Sequence, residues 1–160
     1  MQTITLDGAV MPDRSAMHDA LAEAFALPAY YGRNLDALWD CLTERHEGAE
    51  ILFLSPEKMP EELFAPLAAL LLDLCREGGG WKLTLSSPAA MPGRYRHFKG
   101  GEYECFGIAL HSETLQPMVT YRALYGSGGL WVRPAAMWGE EVSTKDGPRP
   151  RFMRIEEHES

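Results

Sequence analysis

The chain has 160 residues, a hydrophobic content of 46% and a formal net charge of −8 at pH 7, which are typical of a globular protein and exclude a disordered one. The longest apolar stretch, at residues 63–74, is too short to span a bilayer, and the N-terminus lacks the basic start and apolar run of a signal peptide. We therefore expect a cytoplasmic protein with no membrane partner.

The cysteines favour neither a disulfide nor a metal site. Cys41, Cys75 and Cys105 are an odd number at wide spacing, and the sequence contains no CxxC pair. This pattern predicts reduced, partly buried thiols. Neither a metal nor a cofactor is expected.

The negative charge belongs to the first half of the chain. Residues 1–90 contain 14 acidic and 6 basic side chains, whereas residues 91–160 contain nine of each. An acidic module repels nucleic acid and attracts a basic protein, so direct nucleic-acid binding by the first half is not expected. The alternative is that the acidity only aids solubility.

Strand and helix patterns alternate through the first half. Strands separated by helical connections predict a parallel sheet covered by helices. Ser15 is the expected cap of the first helix, and Gly78-Gly79-Gly80 ends the last one. The predicted elements are strands at 3–6, 50–54 and 81–85 and helices at 16–26, from Asn34 onward and at 61–76.

A loop that runs into a helix, residues 27–43, organises this half. Pro28 disfavours helix before it, Gly32 permits a turn, and Asn34 is a good N-cap. One helical face is an apolar stripe and the other combines acids with a tryptophan, which suits a protein interface. The alternative is a solvated helix face with Trp39 half buried. The apolar stripe is Leu35, Leu38 and Leu42, and the opposite face is Asp36, Trp39, Asp40 and Thr43.

The strings Tyr30-Tyr31-Gly32 and Asn34-Leu35-Asp36-Ala37-Leu38-Trp39-Asp40 resemble barstar, a family of intracellular ribonuclease inhibitors. Weaker similarity extends over residues 1–87. The resemblance implies a three-stranded parallel sheet and a loop and helix that plug the active site of a ribonuclease. The residues it assigns to partner binding are Tyr30, Tyr31, Gly32, Asn34, Asp36, Trp39, Asp40 and Thr43.

One departure from barstar concerns a later helix, which in that family adds an acidic contact. Plain alignment places Cys75 at that position, with Glu77 nearby. Glu77 is therefore added to the expected partner-binding residues. The contact is expected to be lost or shifted, which leaves open whether the target is the classical secreted ribonuclease or another basic protein.

The second half has a different character. The sequence predicts a linker at residues 88–93, a small all-β domain at 94–155 and a tail at 156–160. Short, regularly spaced strands predict a small antiparallel sheet or barrel, SH3-like by analogy. The segments Tyr95–Gly100, Tyr121–Tyr125 and Leu130–Pro134 resemble a bacterial domain of unknown function, DUF1653. The predicted strands are 94–98, 102–111, 118–125, 130–133 and 152–155, with one helical turn at 135–138.

Aromatic and cationic side chains are dense in this second half. They predict a pocket for a small ligand, a peptide or nucleic acid through stacking and cation–π contacts. The alternative is that the aromatics fill the interior while the cations lie outside. The candidate ligand-binding residues are Tyr95, His97, Lys99, Tyr121, Arg122, Trp131 and Arg133.

These observations favour a non-enzymatic inhibitor that blocks a ribonuclease or similar toxin with its acidic helix and loop. The alternative function is ligand binding through the second domain. A hydrolase would need a dry cleft that raises a carboxyl pKa, and Asp36 and Asp40 lie on adjacent turns of one exposed helix face. His97, Cys105 and His111 match no catalytic or metal motif.

Overall fold

The computed structural model describes residues 1–156, and the chain divides into two units, Met1–Ser86 and Ser87–Ser160. The tail predicted at 156–160 lies outside the described residues except for Glu156. Within residues 1–156, no helix has the length and apolar character needed to cross a membrane.

The first unit contains a three-stranded parallel sheet with helices in its connections, which confirms the predicted fold class. The strands pair in the order β1-β2-β3, with Ile4 opposite Ile51 and Ile51 opposite Leu83. The elements are β1 (Thr3–Asp7), α1 (Arg14–Ala24), α2 (Leu35–Thr43), β2 (Glu50–Leu54), α3 (Glu61–Glu77) and β3 (Lys82–Ser86).

Helix α1 begins two residues earlier than its sequence pattern predicts, because Asp13 rather than Ser15 is the cap. The Asp13 carboxylate accepts a hydrogen bond from the backbone N–H of Ala16 at 2.8 Å, and Asp13 itself has an extended backbone. The backbone then enters the helix at Arg14. Two acceptable cap residues lie close together here, and the sequence alone ranks them poorly.

The core of the first unit is built by α1, α2 and α3 with the sheet. Leu38 and Leu42 are fully buried, as the apolar stripe predicts, and α2 contacts α3. The rings of Phe53 on β2 and Phe64 on α3 pack edge to face, with centroids 5.4 Å apart. This packing fixes which face of α2 remains in solvent.

The second unit is an open antiparallel sheet, which confirms an all-β fold. Its five strands pair in the order β10-β4-β5-β6-β7, and a separate hairpin joins β8 to β9. The expected SH3-like barrel is not confirmed, because β10 and β7 remain edges and no sheet closes among the described residues. The elements are β4 (Gly93–His97), β5 (Glu102–Leu110), β6 (Pro117–Ala123), β7 (Leu130–Pro134), α4 (Ala135–Trp138), β8 (Glu141–Thr144), β9 (Gly147–Pro150) and β10 (Phe152–Arg154).

The single helical turn α4 supplies the centre of this unit's core. Trp138 is fully buried and its ring stacks on Phe152 at 3.8 Å with an interplanar angle of 3°. Tyr95 and Tyr121 pack edge to face against Trp138 at 5.2 and 5.0 Å. Aromatic rings therefore fill much of the interior of this small sheet.

The β8–β9 hairpin was not predicted from the sequence. Its strands have four residues each, and Pro148 and Pro150 lie within β9. Proline and the lack of alternating apolar residues both argue against a strand. The two strands pair with each other and with no other strand in the described chain, which is where proline is tolerated.

Candidate functional site

The N-terminus of α2 is capped as the sequence predicts. The side-chain oxygen of Asn34 accepts a hydrogen bond from the backbone N–H of Ala37 at 2.8 Å, and its amide donates to the carbonyl of Gly32 at 3.2 Å. Asp36 then lies in the first turn, where a negative charge is stabilised by the helix dipole. The loop is thereby joined to the helix in one defined geometry.

The amphipathic pattern of α2 directs its acidic face outward. Because Leu38 and Leu42 are fully buried, the opposite side of α2 faces solvent. Asp36 and Asp40 are exposed and Trp39 is half-buried. The Thr43 hydroxyl donates to the carbonyl of Trp39 at 2.8 Å, so its donor is engaged within the helix.

A groove beside α2 contains a carboxylate of α3 in addition to Asp36. Sequence reasoning, which named Asp36 and Asp40, missed this carboxylate. The groove is lined by Asp36 and Trp39 of α2 and by Asp73 of α3, with Leu35 and Leu70 as its apolar part. The Asp73 carboxylate is exposed and forms one ion pair, with Arg76 of the same helix at 3.1 Å. The acidic contribution of α3 to this groove therefore comes from Asp73.

Glu77, the residue expected in that role, ends α3 and is exposed, but it is not among the residues that line the groove. Helical spacing alone does not single out Asp73, because Glu77 lies one turn further along the same side of α3. Leu67, Leu71 and Leu74 form the buried stripe of α3, and Leu70 and Asp73 flank that stripe on one side. Only the packing of α3 against α2 shows that Asp73, and not Glu77, lies in the groove beside the acidic face.

The two tyrosines of the loop have opposite environments. Tyr30 is 81% exposed, whereas Tyr31 is 8% exposed. The Tyr31 hydroxyl forms a hydrogen bond with Nδ1 of His18, which is itself buried in α1, at 2.7 Å. Tyr31 therefore anchors the loop from inside the unit, while Tyr30 presents its ring to solvent.

Burial determines the protonation of this pair. It lowers the pKa of His18, with the nearby Arg33 and Arg14 cations acting in the same direction. Burial also raises the pKa of the Tyr31 hydroxyl to about 12. At neutral pH the pair is a neutral imidazole with a neutral phenol.

Arg33 ties the loop to α1 a second time. Its guanidinium donates to the Asp19 carboxylate at 2.8 Å and to the carbonyl of Ser15 at 3.1 Å. Arg33 has a positive φ of 53°, a conformation that is strained for a residue with a side chain and persists where its contacts hold it. None of His18, Asp19 or Ser15 carries a sequence signal for this role.

Gly32 lies where the loop passes close to the first turn of α2. A Cβ atom at this position would lie 3.2 Å from the Cβ of Ala37. The absence of a side chain therefore lets the loop lie directly against the helix.

The candidate residues of the second unit do not form a single site. Tyr95 and Tyr121 are 2% and 6% exposed and belong to the aromatic core, so they are not surface groups. The rings of His97 and Phe152 are 5.0 Å apart, and Arg133 lies over the same Phe152 ring.

The remaining candidates are exposed at separate places. The Arg122 guanidinium lies over the Phe106 ring, and the Lys99 ammonium lies over Phe98. Trp131 is 59% exposed on β7, an edge strand. Within the part of the chain that the structure describes, no group of three or more His, Cys, Asp or Glu side chains could hold a metal ion.

Comparison with known families accounts for both halves of the chain. Residues 1–85 match the family model described as Barstar (barnase inhibitor). The chain belongs to the barstar family. Residues 93–154 match a second family model, described as a protein of unknown function (DUF1653). The two matches cover the barstar-like unit and the antiparallel sheet respectively.

Two individual proteins are similar to parts of the chain. The chain is 51% identical over 43 residues to the Bacillus subtilis (strain 168) protein named "Putative ribonuclease inhibitor YrdF". These 43 residues are 27% of this chain. The matched region spans about half of that curated relative, 47% of its length. A crystal structure of a DUF1653 protein from Bordetella bronchiseptica is 38% identical, with 44% of this chain and 92% of that chain covered and a TM-score of 0.40.

Proposed function

We propose that this barstar-family chain is a non-catalytic inhibitor that covers the basic active site of a ribonuclease with α2 and the loop before it. The observation that carries the proposal is the groove in which Asp36, Trp39 and Asp73 meet. It combines two carboxylates with a large aromatic ring on a surface whose position is fixed by buried leucines. The partner is expected to be a basic protein, a ribonuclease or a ribonuclease-like toxin.

The carboxylates would take the places of RNA phosphates. A ribonuclease binds RNA with cationic side chains, and Asp36, Asp40 and Asp73 offer three negative charges on adjacent helices. Opposite charges on two surfaces accelerate association and orient the partners. The same negative charge opposes binding of RNA by this unit.

Tyr30 and Trp39 would supply contact area around the charged pairs. Aromatic side chains bury a large area at a low entropy cost, and water excluded by them strengthens the neighbouring charge pairs. Tyr30 is already exposed, so it needs no rearrangement to reach a partner.

The loop is held in place before any partner binds. Tyr31 contacts His18, Arg33 contacts Asp19, and Asn34 joins the loop to α2. A surface that is ordered in advance loses less conformational entropy on binding. In this proposal Tyr31, Gly32 and Asn34 act by positioning the loop, and Tyr30, Asp36, Trp39, Asp40 and Asp73 contact the ribonuclease.

The test measures ribonuclease capture and inhibition with the full chain. Immobilised wild-type chain and an Asp36→Asn, Asp40→Asn variant are exposed to extract of the source cells, and the captured proteins are released and assayed for RNA cleavage. We expect the wild type to enrich a ribonuclease and to inhibit it when added back, with weaker capture at higher salt. Purified barnase is assayed in parallel.

Glu23→Gln is the matched control, because Glu23 is an exposed carboxylate of α1 that does not line the groove. It removes the same charge as one of the test substitutions and should leave capture unchanged. Equal capture of ribonuclease by the double variant and the wild type would refute the proposed site. Failure of the wild type to inhibit any ribonuclease would refute the proposed function.

A further inference from the structure

The edge strand β7 presents an apolar stretch to solvent. Its first three residues, Leu130, Trp131 and Val132, are 66%, 59% and 61% exposed. β7 pairs with β6 on one side, and no strand pairs with its other side among the described residues. An exposed apolar edge is a template for a further strand, and soluble proteins usually protect such edges with charge, proline or a covering segment. Three consecutive exposed apolar side chains on this edge therefore indicate an interaction surface.

The hydrogen-bonding pattern of β7 shows which of its main-chain groups point outward. The backbone N–H of Ala123, which follows in register on β6, donates to the carbonyl of Gly129 at 3.1 Å. Hydrogen-bonded pairs recur at every second residue of an antiparallel ladder, so Trp131 turns its N–H and C=O toward β6. Leu130 and Val132 therefore turn their N–H and C=O groups away from β6, toward the open edge.

The position of a proline agrees with this pattern. Pro134 ends β7 and belongs to the same outward set as Leu130 and Val132, because the three lie at alternate residues. Proline has no N–H and is tolerated in a sheet where that group would face solvent. The open edge thus offers the N–H and C=O of Leu130 and of Val132, and Pro134 limits it at one end.

The two faces of β7 differ in their chemistry. Trp131 and Arg133 lie opposite Tyr121 and Val119 of β6, which are buried, so these two β7 residues belong to the inner face of the sheet. The other two exposed apolar residues alternate with them and belong to the outer face. A strand added at this edge would meet apolar side chains on the outer face, and an aromatic ring followed by a cation on the inner face.

Arg133 is a half-buried cation. Its guanidinium lies over the Phe152 ring, 5.5 Å from the centroid, and within residues 1–156 it forms no ion pair and its Nε is buried without a hydrogen-bond partner. The charges that act on the nearby His97 are also positive. Burial lowers the pKa of His97, and Arg133, Arg151 and Lys99 act in the same direction. A guanidinium in this setting is stabilised by a carboxylate, which accepts two parallel hydrogen bonds from it.

We propose that β7 binds an extended segment of another protein as a further strand, with an acidic residue of that segment opposite Arg133. The added strand is antiparallel, like the other pairings of this sheet. Its main chain pairs with Leu130 and Val132, and in this mode of recognition the main chain supplies affinity and alternate side chains supply specificity. Residues directly opposite each other share a face and have Cβ atoms about 4.5–5.5 Å apart, so a carboxylate opposite Arg133 can reach the guanidinium. The proposal is independent of the inhibitor function, whose residues lie in the other unit.

A second copy of β7 fits this edge less well than an acidic segment does. The strand Leu130–Pro134 contains no Asp or Glu, so two paired copies would leave the Arg133 cation of each without a carboxylate. Burying a guanidinium without a counter-charge costs free energy. Charge complementarity therefore favours an acidic segment of another protein over self-association.

The test selects peptides from a displayed library of short random sequences on the immobilised full chain. We expect the enriched peptides to share an Asp or Glu next to alternating apolar residues. One enriched peptide is then synthesised with its acid and with the matching amide, and both are titrated by fluorescence anisotropy. The amide form should bind at least about tenfold more weakly, the effect of losing a charge-assisted hydrogen bond. Absence of enrichment, or equal affinity of the two peptides, would overturn the proposal.

Two substitutions of Val132 separate main-chain pairing from side-chain contact. Val132→Pro removes an N–H that points away from β6, so the pairing of β6 with β7 is retained. We expect it to abolish binding of the acidic peptide, whereas Val132→Thr keeps the N–H and the branched shape and should retain most of the binding. Circular dichroism and the urea midpoint check that both variants fold. Wild-type affinity in Val132→Pro would refute strand addition.

Arg133→Gln tests the charge, and Arg94→Gln is the matched control, because Arg94 lies on β4 and is separated from β7 by β5 and β6. We expect Arg133→Gln to lower the affinity for the acidic peptide about tenfold and to leave the affinity for the amide form unchanged. Arg94→Gln should change neither. An equal loss in both variants would show only general electrostatic attraction and would overturn the site.

Sedimentation equilibrium of the full chain tests the competing occupant of the edge. We expect the wild type and Val132→Pro to have the same molecular mass. A wild-type dimer that Val132→Pro converts to a monomer would show that a second copy covers β7, and would overturn the proposed partner.

Discussion

Substitution of Tyr31 by phenylalanine tests whether the loop before α2 is held from inside the unit. The exchange removes one oxygen atom and leaves the ring in place. Tyr31 and His18 are 8% and 1% exposed, and their side chains are joined at 2.7 Å. The second ring nitrogen of His18, Nε2, is already buried without a hydrogen-bond partner in the described structure.

The structure sets the expected magnitude. In Tyr31→Phe, Nδ1 of His18 is buried without the hydroxyl, and water has little access to it. A buried polar atom left without its partner costs about 1–3 kcal/mol. We expect the free energy of unfolding of the first unit to fall by this amount, and the affinity for a ribonuclease to fall with it, because the loop loses an anchor.

Tyr30→Phe is the matched control, since it removes the same atom from the neighbouring residue, which is 81% exposed. Its effect on stability should stay within about 0.5 kcal/mol. Urea unfolding followed by pulsed hydrogen exchange in peptides from 35–43 reports on the first unit alone. Equal stability of Tyr31→Phe and the wild type, or an equal loss in both variants, would refute the proposed anchoring.

Three further outcomes are expected. Burial lowers the pKa of His18 below its usual 6.5 in the folded chain. As the pH falls, the unfolded chain therefore binds a proton at His18 at a higher pH than the folded chain does. Unfolding free energy should therefore fall as pH drops below about 6.5, by at most about 1.4 kcal/mol per pH unit, and the slope should be smaller in His18→Gln. Asp73→Asn should weaken ribonuclease binding about tenfold and Glu77→Gln much less, as measured by inhibition titration, since Asp73 lines the groove. Gly8→Ala would place a Cβ atom 2.2 Å from the carbonyl oxygen of Ser55 and should destabilise the first unit by about 1–3 kcal/mol, with an unchanged urea midpoint contradicting that contact.

Local chemistry made α2 predictable. Its start depends on Asn34 and its buried face on Leu38 and Leu42, and these properties are set within one or two turns of chain. The parallel sheet was predictable for a related reason, because strands separated by helices leave few alternative topologies. The sequence by itself therefore determined the fold class of both halves and the exposed acidic face of α2.

Only the tertiary structure decided which distant residues meet that face. Asp73 and Glu77 are one helical turn apart and chemically similar, and only the packing of α3 against α2 brings Asp73 to the groove. Neighbouring Tyr30 and Tyr31 likewise differ in environment because Tyr31 meets His18, which lies 13 residues earlier in the chain.

The second unit shows the same division. Its strands could be predicted from short apolar runs and turns. The strand order that leaves the sheet open, and the stacking of Trp138 on Phe152, could not. Propensity and periodicity act over a few residues, while these contacts join residues 13 or more positions apart, and only the packed chain specifies them.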